Sequence, residues 1–242
     1  MLFPSAFFAL LPFSEGLFLL LIMLFMRHLR RRNYLAAAIF GLLASLTRSV
    51  GVLLMAPFAI QVFMDVWQGR VDMPYIRRIF RVGWPIFLIP VGTLIYLGIN
   101  YAVFGDALRF LQVQSSHWNQ GMSVLPHTLW VLVQNLAGFA PEVNGWLWLP
   151  ELICIFAMLG LLAMAAKRQN TTQTVYALVF FWFSISLTWL LSAPRYLLVM
   201  FPCFITLAEA CKKPWQDALV TLVLGAALLV MACGFALGKT IY

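Results

Sequence analysis

The chain has 242 residues, 63% of them hydrophobic and only 10% charged, and its sixteen Lys and Arg against eight Asp and Glu leave a net charge of +8. A soluble domain is about 45–50% apolar and about 25% charged, so the composition excludes a soluble globular domain and points to a membrane protein. Nucleic acid is excluded as a partner as well, because the basic residues sit at the ends of apolar runs rather than on a soluble basic surface.

Most of the positive charge falls in four clusters: Arg27, Arg30, Arg31 and Arg32; Arg70, Arg77, Arg78 and Arg81; Lys167 with Arg168; and Lys212 with Lys213. Basic residues flanking spans stay on the cytoplasmic side, so these clusters orient the chain. A span needs about 20 apolar residues. Residues 13–26 form the first candidate, running inward to the first cluster. The N-terminus does not read as a signal peptide, because no basic residues precede the apolar stretch and Pro4, Pro12 and Glu15 interrupt it.

Residues 34–66 must start and finish inside. As one straight helix they would reach about 50 Å, too far for one crossing, so they split into two short helices turning at Thr47-Arg48-Ser49-Val50-Gly51. Residues 83–104 then cross outward, and 105–150 form the longest polar-punctuated stretch, outside. Within it, 129–139 is apolar but short and suits an interfacial or re-entrant helix. Residues 151–166 cross inward, 174–191 outward, 196–211 inward and 218–237 outward. The expected fold class is an all-α polytopic membrane protein, a single transmembrane domain over 1–242 with about eight helices crossing and short re-entrant or interfacial helices on the outer face. Cys154, Cys203, Cys211 and Cys233 lie in or beside apolar segments with no CxxC pair, which fits packing rather than a disulfide framework.

With this topology the outer side receives Glu15, Arg48, Asp106, Arg109, Gln114, His117, Glu142, Glu151 and Arg195. A charge at mid-membrane costs about 2.5–3.5 kcal/mol on insertion scales, and such residues usually have a partner or a function. Glu15 follows Ser14 at a helix start, where Ser14 caps and Glu15 complements the positive dipole end; a functional carboxylate is the other reading. Arg48 falls near the C-terminal end of a helix over 34–47, a favourable place for a cation, or it binds an anion. Arg195 follows Pro194 at a helix start, where a cation is unfavourable unless an anion answers it. A phosphate would do so, held bidentately, and so would a structural carboxylate such as Glu15 or Glu151.

Asp106, in Phe104-Gly105-Asp106, reads as turn chemistry or as a functional acid. Gln112, Gln114, Ser115, Ser116, His117, Trp118, Asn119 and Gln120 gather amides and hydroxyls around one aromatic. That suits a sugar, whose ring packs on an aromatic face while amides bond its hydroxyls. Trp118 fits an interfacial aromatic belt equally well, and Trp130, Trp146 and Trp148 read as belt. His117 and His127 lack metal-ligand spacing, so no metal is expected. There is no P-loop, GxSxG or dinucleotide fingerprint.

Four local patterns carry a resemblance. Pro4-Ser5-Ala6-Phe7-Phe8, then Pro12-Phe13-Ser14-Glu15-Gly16-Leu17-Phe18, resembles the "P-S-x-F … Y-S-E-x-L-F" region of the PIG-V family. Those are membrane mannosyltransferases, the second mannosyl-adding enzymes of GPI-anchor synthesis, with bacterial relatives. Leu46-Thr47-Arg48-Ser49-Val50-Gly51 is similar to its "L-T-R-S-x-G". Tyr101-Ala102-Val103-Phe104-Gly105-Asp106 with Phe110, Gln114 and Trp118 resembles its "Y-x-x-F-G-D … F … Q … W" loop, and Ser192-Ala193-Pro194-Arg195-Tyr196 with Phe201-Pro202 its "S-x-P-R-Y … F-P". The four occur in the family's order.

The resemblance implies a GT-C-type glycosyltransferase moving a hexose, mannose by analogy, from a polyprenyl- or dolichyl-phosphate to a glycolipid or glycan acceptor on the outer or lumenal face. The donor lipid is a substrate, and no other cofactor is implied. Cations must hold the leaving phosphate, for which Arg48 and Arg195 are the choices. A carboxylate must take the acceptor's proton, with Glu15 and Asp106 as candidates. Ser14, Gln114, His117, Trp118 and Tyr196 are the candidates for sugar or acceptor binding.

The family also carries a Trp-Asp motif in an outer loop upstream of the "Y-S-E" region, and the expected base is that Asp. This chain starts after it, so the expectation is the C-terminal part of such an enzyme or a paralogue lacking the loop. Phe13 stands where the family has a tyrosine, so that hydroxyl has no counterpart. The alternatives are a non-catalytic lipid-phosphate-binding subunit partnering another membrane protein, an inactive truncated paralogue, or a transporter with polar groups in broken helices. The expected location is the plasma membrane in a bacterium or the endoplasmic reticulum membrane in a eukaryote.

Overall fold

The structure, a computed structural model, describes residues 3–239 except 10, 12, 70–74, 119–120, 189 and 191; the side chains of 75, 76, 78, 117 and 118 also lie outside the described set. Among the described residues the fold is helical with no strand, and a lone antiparallel bridge joins Met122 to Leu187. In chain order the helices are α1 (Glu15–Arg30), α2 (Tyr34–Thr47), α3 (Met55–Trp67), α4 (Tyr75–Gly83), α5 (Leu88–Phe104), α6 (Arg109–Trp118) and α7 (Leu125–Gly138). They continue with α8 (Pro141–Val143), α9 (Leu149–Arg168), α10 (Thr171–Ile185), α11 (Ala193–Leu197), α12 (Phe201–Ala210) and α13 (Pro214–Ala236). Short 3-10 turns precede α1, α3 and α5, and a π-turn over Asn144–Trp148 leads into α9.

Among the described residues, four helical stretches are long and apolar enough to cross a membrane: Ser49–Trp67, Ile79–Phe104, Pro141–Arg168 and Pro214–Ala236. The other expected crossings are shorter. α1, α2, α10 and α12 have 16, 14, 15 and 10 residues, below the roughly 20 that a full crossing takes at 1.5 Å per residue. The helix expected over 174–191 ends at Ile185. Beyond it the backbone pairs with another segment instead: Ser123 N–H donates to Ser186 O (3.0 Å) and Thr188 N–H to Gly121 O (2.9 Å). The helix expected over 196–211 starts at Phe201, with Pro202 in its first turn.

The split of 34–66 occurs where the sequence placed it. The side chain of Asn33 caps α2 by accepting the Ala36 N–H (3.3 Å), and the helix stops at Arg48, whose backbone is extended. The 3-10 turn Ser49–Leu54 then folds back so closely that a Cβ on Gly51 would lie 2.5 Å from the Ser45 backbone nitrogen. Only glycine fits there.

Contacts gather the chain into two compact units. One comprises Gly16–Gln112 and Asn170–Phe180. In it α1 buries a stripe of Phe18, Ile22, Phe25 and Leu29, spaced at helical period. α2 packs closely on α5: a Cβ on Gly41 would lie 2.9 Å from Ile89 Cγ1, and one on Gly92 would meet the α2 backbone at Leu42 and Leu46, an approach typical of membrane helix pairs. The Ser45 hydroxyl donates to the Ile89 carbonyl within that contact.

The same unit holds a polar clasp that nothing in the sequence analysis singled out. Asp65 of α3 is fully buried. It accepts hydrogen bonds from the Tyr34 hydroxyl (2.5 Å) and the Gln61 amide (3.0 Å), and it pairs with Arg32 Nε at 3.4 Å. The Thr172 hydroxyl donates to Gln61 Oε1 at 2.7 Å, adding α10 to the chain of bonds. Hydrogen bonds to a charged group contribute about 1.5–3 kcal/mol each. Tyr34→Phe, which leaves Gln61 and Arg32 in place, should therefore cost about 1.5 kcal/mol in thermal or SDS unfolding of the detergent-solubilised protein. An unchanged unfolding midpoint would remove the clasp from the stabilising interactions.

The second unit comprises Met1–Glu15, Val113–Gln169 and Phe181–Tyr242. α9 buries Glu151, Cys154, Ile155, Met158, Leu162 and Ala165 along one side, packed on α11 and α12. α13 buries only Gly234 and exposes Leu219, Leu222, Val223, Leu229 and Val230, as a lipid-facing helix would. Cys154 and Cys203 are buried free thiols in this unit.

Candidate functional site

The site is built around the turn into α11. After α10 the chain reaches Ser192, whose φ of 73° lies in the left-handed region, and α11 begins at Ala193 with Pro194 in its first turn. Ser192 O accepts the N–H groups of Arg195 (3.0 Å) and Tyr196 (3.1 Å). The carboxylate of Glu151, from the first turn of α9 and 2% exposed, accepts the Ser192 N–H at 2.5 Å through Oε1 and the Ala193 N–H through both oxygens, at 3.1 and 2.9 Å. An acidic group thus satisfies the backbone donors at the start of this short helix.

Arg195 Nε donates to Glu15 Oε1 at 2.5 Å, with the Glu15 side chain fully buried and that of Arg195 23% exposed. The guanidinium carbon lies 5.1 Å from the Phe8 ring centroid and 4.4 Å from that of Phe13, within cation–π range. The Ser5 hydroxyl donates to the Pro194 carbonyl at 2.7 Å. Segments separated by 180 positions therefore meet through hydrogen bonds, ring faces and an ion pair. Both carboxylates left open by the sequence answer this turn: Glu15 meets the guanidinium and Glu151 meets the backbone. The bond to Glu15 uses one of arginine's five N–H donors, and among the described residues the Arg195 side chain makes no other hydrogen bond.

Beside the turn, Ser5, Phe7, Phe8, Trp146, Glu151 and Met231 line an apolar recess of about 20 Å³. That is room for about one water and too little for a sugar ring. Ser14 immediately precedes α1. Tyr196 is half-buried on α11.

In the other unit, Arg48 has its guanidinium carbon 5.9 Å from the Phe18 ring centroid. Asp106 follows Gly105, which closes α5 in the left-handed conformation. Its Oδ1 accepts the Leu108 N–H (2.8 Å) and its Oδ2 the Gln112 amide (2.6 Å), so the carboxylate ties the turn together as Gly-Asp chemistry predicts. Arg109 donates to Gln112 Oε1 at 3.0 Å.

Gln114 is half-buried on α6. His117 and Trp118 close that helix, but their side chains, and Asn119 and Gln120 altogether, lie outside the described residues. Of the tryptophans expected in an interfacial belt, Trp130 is exposed as that role requires, whereas Trp148 is buried against Phe139 and belongs to the core. Glu142 pairs with Lys239 Nζ at 2.6 Å on the surface. Among the described residues no three His, Cys, Asp or Glu side chains gather as metal ligands.

Sequence reasoning missed the parts played by Ser5 and Phe8, whose only signal was membership of one motif. It also missed Asp65, whose signal was an acid inside an apolar helix. No family model, curated protein or solved structure matches the chain.

Proposed function

We propose that the chain is a membrane glycosyltransferase of the mannosyl-transferring type, passing a hexose from a polyprenyl- or dolichyl-phosphate to a glycolipid or glycan acceptor on the face opposite the basic clusters. The observation that carries this reading is the setting of Arg195. Two of the four segments that resemble the mannosyltransferases converge there: Ser5 bonds Pro194, Phe8 and Phe13 flank the guanidinium, and Glu15 holds Nε. A guanidinium held at Nε and stacked on two rings gives up little further freedom on binding, and four N–H donors remain for phosphate oxygens. Such a group stabilises the charge that develops on a departing lipid phosphate. Glu15 then acts as the anchor of Arg195. Arg48 as a second cation, and Ser14 and Tyr196 at the sugar or acceptor, rest on the resemblance. Gln114, His117 and Trp118 rest on the amide, hydroxyl and aromatic chemistry of their cluster, and Asp106 is a candidate substitute for the upstream base that the resemblance expects.

The same reading takes α1, α2, α10 and α12 as crossings beside the four long helices, making about eight in all. Each of the four lies next to a basic cluster at one end: α1 and α2 at Arg30 to Arg32, α10 at Lys167 and Arg168, α12 at Lys212 and Lys213. That arrangement keeps every cluster on one side. The membrane would be the plasma membrane of a bacterium or the endoplasmic reticulum of a eukaryote.

Purified protein in liposomes with a labelled polyprenyl-phosphate mannose and a glycolipid acceptor should form labelled glycolipid, and Arg48→Ala should slow it at least about tenfold. Label crossing the vesicle wall with no glycosylated product would replace the reading with a transporter. Binding of the donor with no transfer would replace it with a binding subunit.

A further inference from the structure

We infer that Glu151 is a positioning residue for Arg195: by accepting the Ser192 and Ala193 N–H groups it holds the turn that presents the guanidinium. The phosphate-binding consequence rests on the function proposed above, whereas the positioning itself does not. The carboxylate sits in the first turn of α9, and its partners sit three and two residues before Arg195. Ser192 is in the left-handed conformation, which a residue with a Cβ adopts reluctantly. Something must hold it there. Ser192 O in turn accepts the Arg195 and Tyr196 N–H groups, so its orientation sets the start of α11. The direction of the Arg195 side chain is therefore determined at two points, by Glu15 on the guanidinium and by Glu151 through the backbone.

Glu151→Gln separates hydrogen bonding from packing. The amide fills the same volume, but its NH₂ replaces Oε2 and opposes the Ala193 N–H that Oε2 accepts at 2.9 Å. Two readouts apply to the full chain in nanodiscs. The first is the rate at which phenylglyoxal, an arginine-selective reagent, modifies Arg195, followed by peptide mass spectrometry. The second is the affinity for a polyprenyl phosphate. Losing one hydrogen bond of this kind should raise Arg195 modification about fivefold and weaken binding by a similar factor.

Adding Ser192→Gly should then return both values to within about twofold of wild type, because glycine adopts positive φ without help. A residue that merely fills space would show no such rescue. Wild-type reactivity in E151Q, or an E151Q/S192G variant as reactive as E151Q, would overturn the inference. Should E151Q not fold, hydrogen exchange on the unaltered protein decides: slow exchange at Ser192 and Ala193 is expected, and prompt exchange overturns it. If wild type does not bind polyprenyl phosphate at all, the phosphate reading fails while the modification rates still judge Glu151.

Discussion

Arg195→Ala is expected to reduce sugar transfer at least about 100-fold, the scale seen when one charge-stabilising donor is removed from an active site. It should also destabilise the protein. Glu15 is fully buried, and the substitution strips its carboxylate of the guanidinium that meets it at 2.5 Å. Breaking a buried pair by removing one partner costs about 3–5 kcal/mol, and the lower end applies because Arg195 is partly exposed. The flanking rings of Phe8 and Phe13 lose their cation at the same time.

Activity and stability are separable. Arg195→Lys keeps a positive charge but neither the planar fork nor its stacking, so it should recover more of the stability than of the transfer rate. A double-mutant cycle of Arg195→Ala with Glu15→Ala, read by thermal unfolding in detergent, should give a coupling of about 2 kcal/mol. Additive effects would show that the two side chains are neighbours without mutual dependence. Full transfer activity in R195A would end the phosphate-clamp reading whatever the cycle shows.

The second large effect is steric. Gly92 faces α2 from α5, and a Cβ there would run into the Leu42 carbonyl oxygen, the Ser45 hydroxyl and the Leu46 nitrogen. Two of those three atoms are backbone, which cannot swing aside as a side chain can. Gly92→Val should force the two helices apart, break the bond from Ser45 to the Ile89 carbonyl and cost about 3 kcal/mol, the top of the usual range for overpacking. Gly98 is the internal control. It lies in the same helix, and a methyl group added there would meet nothing within 4 Å, so Gly98→Ala should be neutral or stabilise by up to about 1 kcal/mol. Size-exclusion profiles and unfolding midpoints of the two variants make the comparison, and equal midpoints would mean that α2 and α5 pack too loosely for a side chain at Gly92 to matter.

Some of this architecture was legible in the sequence. The break at Thr47 to Gly51 follows from arithmetic, since a segment with both ends on the basic side cannot be one straight crossing. The turn at Asp106 follows from Gly-Asp chemistry, and its carboxylate does bond the following backbone. The lengths of the crossing helices were less legible, because hydropathy extends past the residues that stay helical. The run over 174–191 is mostly apolar, yet the backbone leaves the helix at Ile185, and Ser186 and Thr188 exchange hydrogen bonds with 121–123 instead. Trp148 went to the core instead of the interface for a related reason: an amphipathic ring suits both places, and only neighbouring residues choose between them.

By itself the sequence determined that the chain is helical and membrane-suited, through long apolar runs and basic residues confined to their ends. It also pointed to an anion for Arg195, by placing a cation just after Pro194 at the start of an expected helix over 196–211, although α11 is only five residues long and holds Arg195 in its last turn. Which anion meets it was decided only by the tertiary structure. Glu15 and Glu151 were equally eligible, and the fold used both, one on the guanidinium and one on the backbone three residues earlier. The Asp65 clasp was likewise settled by packing. Pairings across 31 or 180 positions depend on how helices dock, and hydropathy and helix periodicity describe each helix alone.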